Sequence, residues 1–143
     1  MRKFYLSIPL ILFCSSLKAE GIAHLTFHIA AGAENKFKIG TTIENKGKSP
    51  IYAGYVVIIP IDKKCIPQSP ILKSYEGLIP GEKVTVESQI DHPISGYRIS
   101  SFSAYDELGF PVRAVDDTKE LIESRKEKEI KRCNDIISSS NSK

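Results

Sequence analysis

The sequence predicts a mainly β domain, a sandwich of two packed antiparallel sheets followed by one helix, and three observations predict it. Between residues 20 and 114, short runs that alternate apolar and polar side chains are separated by clusters of Gly, Pro, Asn and Asp, the pattern of half-buried strands joined by turns. About seven such runs are too many for one flat sheet and suit two sheets packed face to face. After residue 116 the apolar spacing changes to that of a helix.

The strands follow in order. Leu25, Phe27 and Ile29 alternate with Thr26, His28 and Ala30, which gives a first strand with one apolar face, and Gly32-Ala33-Glu34-Asn35 turns the chain. Phe37, Ile39, Thr41 and Ile43 form one face of a second strand, ended by Asn45-Lys46-Gly47-Lys48-Ser49-Pro50. The run 51–59 is apolar on both faces, so it reads as a central strand covered on both sides or as one with an exposed adhesive face. Ile61-Asp62-Lys63-Lys64-Cys65 has the composition of a hairpin tip, and Pro67 and Pro70 confine the next strand to an edge. Leu78-Ile79-Pro80-Gly81-Glu82 is a strong turn that launches Val84, Val86, Ser88 and Ile90. A strand over 97–105, the turn Asp106-Glu107-Leu108-Gly109 and a last strand at Phe110-Pro111-Val112 complete the set, and the β domain spans 20–115.

The helix is expected over 116–137. Asp117 and Glu120 stand at the spacing of a capping box, in which each side chain satisfies a free backbone N–H of the first turn. Ile122, Lys126, Ile130, Cys133 and Ile137 lie along one stripe, a thin apolar face that holds weakly by itself. Residues 138–143 read as a disordered tail.

Residues 1–19 have the order of a cleavable signal peptide: Arg2 and Lys3, an apolar run at 4–14, the polar pair Ser15-Ser16, and Ala19 before the expected cut. The run is too short for a permanent membrane anchor, which needs roughly 20 residues. Lipidation at Cys14 fits poorly, because bulky Phe13 precedes it. Cleavage would leave 124 of the 143 residues and remove Arg2, Lys3 and Lys18 from the 20 basic residues, so that 17 remain against 17 acidic ones. A neutral chain gives no support to nucleic-acid binding. Cys65 and Cys133 are the cysteines that would be left, an even pair in an oxidising compartment, and the expectation is one disulfide tethering the helix to the hairpin tip. Such a bond would contribute roughly 4 kcal/mol in the chain-entropy picture. The alternative is two unpaired buried thiols.

Residues 38–112 resemble the small immunoglobulin-like domains of bacterial exported proteins, particularly the FxLYD type. The resemblance is carried by Ile39-Gly40-Thr41-Thr42-Ile43-Glu44-Asn45-Lys46-Gly47, by the strand ending at Ile61-Asp62, and by the Leu78-to-Glu82 turn. It implies an immunoglobulin-like antiparallel sandwich and no particular chemistry, since these motifs mark strand ends and turns. Lys63-Lys64-Cys65 stands where the family pattern has a Gly after the hairpin Asp.

Catalytic equipment is not expected. His24 and His28 are four residues apart on one strand, roughly 13 Å at strand rise, too far to hold one metal together. Asp116-Asp117 and Asp106-Glu107 are adjacent acids at cap or turn positions, where Asp is favoured for backbone reasons. Neither a phosphate-binding glycine loop nor a nucleophile elbow is present. The alternating charges at 123–132 read as a solvated helix face. No catalytic residue, metal or cofactor is expected, and the partner is another protein. The reading is therefore a periplasmic or secreted, non-enzymatic protein-binding module of the inhibitor, immunity or host-interacting kind. The alternative is an accessory subunit of an envelope, pilus or secretion assembly. An edge strand suits either a partner or a homodimer. Tyr52, Tyr55, Tyr75, Tyr97 and Tyr105 are the candidate contacts, because aromatic residues are enriched at interfaces.

Overall fold

The computed structural model describes residues 20–33 and 36–140. The expected signal peptide at 1–19, the turn residues Glu34 and Asn35, and tail residues 141–143 lie outside the described residues. Seven strands follow in chain order: β1 Ile22–Ala33, β2 Lys36–Asn45, β3 Ile51–Ile61, β4 Ile71–Leu78, β5 Lys83–Ile90, β6 Gly96–Tyr105 and β7 Pro111–Asp116. One helix, α1 Lys119–Ser140, completes the chain.

All seven strands belong to one hydrogen-bonded order, β4-β3-β6-β7-β1-β2-β5, curled nearly into a barrel. The expectation of antiparallel pairing throughout is corrected at one place. β7 is antiparallel to β6, from which it returns through a tight turn, and parallel to β1, whose residues 22–25 pair with 113–116. The first and last strands can run parallel because nearly the whole domain forms the crossover between them. β4 lies at the edge of the order, where Pro67 and Pro70 put it, and β3 is central, between β4 and β6.

The interior follows the alternation of the strands. Ala23, Ile43, Ile51, Leu78 and Ala104 form one apolar cluster, and Leu25, Ile39, Val56, Ile58 and Ile90 form a second. Phe102 packs against both and joins them. The outward residues of β3, Tyr55, Val57 and Ile59, are half-buried, so the double-sided apolar run has one covered face and one partly open face.

Two polar features hold the strand ends together. Asn45 is fully buried. Its amide donates to the carbonyls of Ser49 at 2.8 Å and Leu78 at 2.9 Å, and its Oδ1 accepts from the backbone N–H of Gly47 at 2.9 Å and of Ile22 at 3.3 Å. One side chain thereby ties the start of β1, the turn after β2 and the end of β4. Asp62 does the same for the hairpin tip, where its Oδ1 accepts from the N–H groups of Lys64 and Ile66, each at 2.8 Å.

The helix differs from expectation in its cap and in its face. Asp117 does not cap it, because its carboxylate is taken by His24 and Lys46. Thr118 stands at the cap position, and its carbonyl accepts the N–H of Ile122. The helix also continues through 138–140, residues expected in the tail. The expected stripe of Ile122, Ile130 and Ile137 stays 40 to 49% exposed, and the half-buried positions are Glu129, Cys133 and Ile136.

Replacing Asn45 with Ala is expected to lower stability by roughly 2–4 kcal/mol, because the buried carbonyl of Leu78 and its neighbours lose their partners. Chemical denaturation of the two proteins checks this; a loss within the error of the measurement contradicts it.

Candidate functional site

β1 does not keep the alternation its sequence shows. Leu25 pairs with Ile43, but Phe27 pairs with Thr42, so Thr26 is an extra residue, a one-residue bulge. A bulge reverses which side chains face inward. Leu25 is buried, whereas Phe27 and Ile29 turn outward and are 53% and 54% exposed. β6 carries the same device: Val57 pairs with Ser101 and Ile58 with Ile99, which leaves Ser100 extra. Tyr97 and Ile99 consequently pack inward with Phe102.

These two strands flank an opening. β7 pairs with β6 only at Ala104 and Tyr105, and with β1 only over 22–25. Among the described residues, β1 beyond Leu25 pairs with β2 alone, and β6 before Ala104 pairs with β3 alone. Two free strand edges therefore face each other where β7 ends. The start of α1 passes over the gap, leaving a cleft of about 880 Å³. Phe27, Ile29 and Phe37 line it from the sheet, Ile94 from the connection before β6, and Leu121 and Ile122 from the helix.

A hydrogen-bond chain crosses the cleft. His28 Nδ1 lies 2.6 Å from the Tyr97 hydroxyl and Nε2 lies 3.0 Å from Thr118 Oγ1, while that hydroxyl donates to Asp116 Oδ1 at 2.6 Å. Because the Thr118 proton is committed to Asp116, Thr118 accepts from His28. This places the neutral imidazole's proton on Nε2 and leaves Nδ1 to accept from Tyr97. Burial holds His28 below the usual histidine range, against the opposing pull of Asp116. Burial also pushes the Tyr97 hydroxyl up. The chain joins β1, β6 and the start of α1.

Beside it, Asp117 accepts from His24 Nδ1 at 2.8 Å and Lys46 Nζ at 3.0 Å. Lys46 first and His24 second lower its pKa. His24 and His28 thus serve separate networks.

The helix is held farther along by its covalent bond. Cys65 and Cys133 form the expected disulfide, with Sγ–Sγ 2.07 Å. Arg132 donates to the Ser95 carbonyl at 3.3 Å, and Arg98 pairs with Glu129 at 3.5 Å. Between the Thr118 cap and these contacts, α1 stands largely exposed.

The five candidate tyrosines do not form one surface. Tyr97 reaches the cleft. Tyr55 and Tyr105 stack at 6.1 Å on the outer face of β3 and β6, and Tyr52 is exposed. Tyr75 is a correction: it is 4% exposed, in the core, and its hydroxyl donates to the Ser103 carbonyl at 3.1 Å. Gly54 lies opposite Tyr75 in the ladder, and any side chain there would strike its ring. That small residue facing a large one was the readable signal. Phe27, Ile29 and Arg125 were missed as cleft residues, because a simple alternation puts the first two in the core and the third on a solvated face.

No family model matches this chain, and no curated protein matches it. Two solved structures are similar. One is β-glucosidase 3B from Thermotoga neapolitana in complex with glucose, 16% identical with a TM-score of 0.40, over 49% of this chain and 10% of the glucosidase. The other is IrmA from Escherichia coli, 9% identical with a TM-score of 0.45, over 70% of this chain and 92% of IrmA. This chain therefore spans about a tenth of the glucosidase's length.

His28 sets an acid sensitivity whose sign is fixed. Its native pKa lies below the ordinary 6.5, so between those values the unfolded chain binds a proton that the native chain refuses. Stability is fully present above about pH 6.5 and falls as pH drops toward the lowered native value. Thermal midpoints measured from about pH 7 to about pH 5 should fall, and less steeply in His28→Gln; equal slopes would contradict the assignment. Reduction of the disulfide should speed amide exchange across α1 while β3 and β6 stay protected. The global loss should be less than the roughly 4 kcal/mol of ideal loop closure, since the bridged helix barely packs.

Proposed function

We propose that this chain is an exported, non-enzymatic protein-binding module, an immunoglobulin-like two-sheet sandwich of the FxLYD kind that takes its partner at the cleft between β1, β6 and α1. The sandwich reading draws on the ladders. β4, β3 and β6 form one run and β1, β2 and β5 another, joined through the short pairings of β7, with the apolar clusters between them. The FxLYD reading draws on the Leu78-to-Glu82 turn. Gly81 takes a φ of 82° there, and Glu82 closes the turn by accepting the Ile79 N–H at 3.0 Å. Export is supported by the disulfide, which persists in oxidising compartments. Among the described residues no helix is long and apolar enough to cross a membrane.

The observation that carries the binding reading is the cleft. Phe27, Ile29 and Leu121 are each more than half exposed in one concave place, and contiguous exposed apolar surface in a polar rim marks an interaction site. The accessory-subunit alternative uses the same feature, since strand edges are the means by which such subunits join.

A photo-crosslinking residue at Ile29, in the full chain expressed in its own envelope, tests the proposal. The expected result is an adduct with a second protein that is lost when the crosslinker is moved to Glu107, in the turn between β6 and β7. Adducts only with the chain itself, or none, would refute it. An adduct that stays in a membrane-bound assembly on fractionation favours the subunit reading.

A further inference from the structure

The charges of the cleft are unevenly used. Its two carboxylates are already engaged, Asp117 by His24 and Lys46 and Glu129 by Arg98. Its three helix cations are not matched by acids. Arg132 donates to a backbone carbonyl, and Arg125 and Lys128 have no ion-pair partner among the described residues. Leu121, Arg125, Lys128 and Arg132 recur at the spacing of one helix face, and all four line the cleft. The α1 side is therefore apolar near the Thr118 cap and cationic beyond it.

The β1 side supplies main-chain groups. Past Leu25 its edge away from β2 carries no ladder among the described residues, and the outward Phe27 and Ile29 stand beside that edge. An amphiphile with an acyl chain and an anionic head would use the apolar surface and the cations, and would leave the strand edge unused. An extended peptide uses all three: its backbone continues the sheet, alternate side chains meet Phe27 and Ile29, and acidic side chains meet the helix. The lengths agree, since the face from Leu121 to Arg132 spans roughly 16 Å at helix rise, about five residues of strand.

We propose that the cleft binds an extended acidic segment of another protein, added as a strand to the free edge of β1 beneath the cationic face of α1. This rests on the binding reading above and specifies its partner's chemistry.

The test uses the mature chain with its disulfide intact and fluorescently labelled synthetic peptides, read by anisotropy. One peptide alternates valine and glutamate, a second alternates valine and lysine, and a third is the glutamate peptide N-methylated at alternate backbone positions to block strand pairing. Binding of the glutamate peptide is expected to exceed that of the lysine peptide by at least about tenfold and to be lost on N-methylation. The double variant Arg125→Glu, Lys128→Glu should reverse the preference between the two charged peptides. That gain of binding to lysine cannot come from misfolding. Equal binding of the two peptides, an unchanged preference in the double variant, undiminished binding after N-methylation, or no binding of any peptide overturns the proposal. So does displacement of the glutamate peptide by oleate at equal concentration, which would make the occupant an amphiphile. If Ile29 still crosslinks a second protein while the peptides fail, the binding reading survives and this one falls; if the crosslink also fails, both fall.

Discussion

The molecule's distinctive surface depends on two single-residue insertions in strand register, Thr26 in β1 and Ser100 in β6. A strand with an extra residue bends, twists more strongly and exchanges its two faces. Here the bulged strands flank the same gap, and each exchange has a visible result: Phe27 and Ile29 leave the interior, and Tyr97 and Ile99 enter it. Because β7 pairs so briefly with each of these strands, nothing in the sheet draws them together again past its end. A regular β1 would have buried Phe27 and Ile29 and left no apolar wall.

The polar chain from Tyr97 through His28 and Thr118 to Asp116 limits how far the strands part. It joins three elements with directional bonds, each donor and acceptor accounted for, in a half-buried setting where such bonds are worth more than in water. It also fixes the direction in which α1 leaves the sheet, since Thr118 is both the helix cap and an acceptor for the histidine. The apolar face of α1 is too sparse to hold the helix by burial, so position comes from this chain at one end and the Cys65–Cys133 bond farther along.

The course of the strands was legible because most of them obey simple alternation. β2 and β5 turn inward the side chains their pattern nominates, fully buried at Ile39, Thr41, Ile43, Ser88 and Ile90 and half-buried at Phe37, Val84 and Val86, and the prolines before β4 place it at the edge. The cysteine pairing followed from counting. The cleft was not legible, for a definite reason: a bulge leaves no composition signal at Thr26 or Ser100, yet it inverts every later assignment in the strand. Among the tyrosines, residue type alone could not separate Tyr75, which fills the space Gly54 vacates, from Tyr52, which is exposed. Asp117 misled in another way. Its spacing to Glu120 suited a cap, but the register of β1 and the start of β3's preceding turn brought His24 and Lys46 to it first.

The disulfide also decides how the protein carries mechanical load. Tension applied at the C-terminal end of α1 does not pass first into β7, whose two-pair ladder with β6 would peel readily. It crosses from Cys133 to Cys65 and enters the turn behind β3, a strand hydrogen-bonded on both sides at the centre of its ladder. While the bond is closed, a pull on the end of α1 has a covalent route to the loop between β3 and β4 that bypasses the helix turns ahead of Cys133.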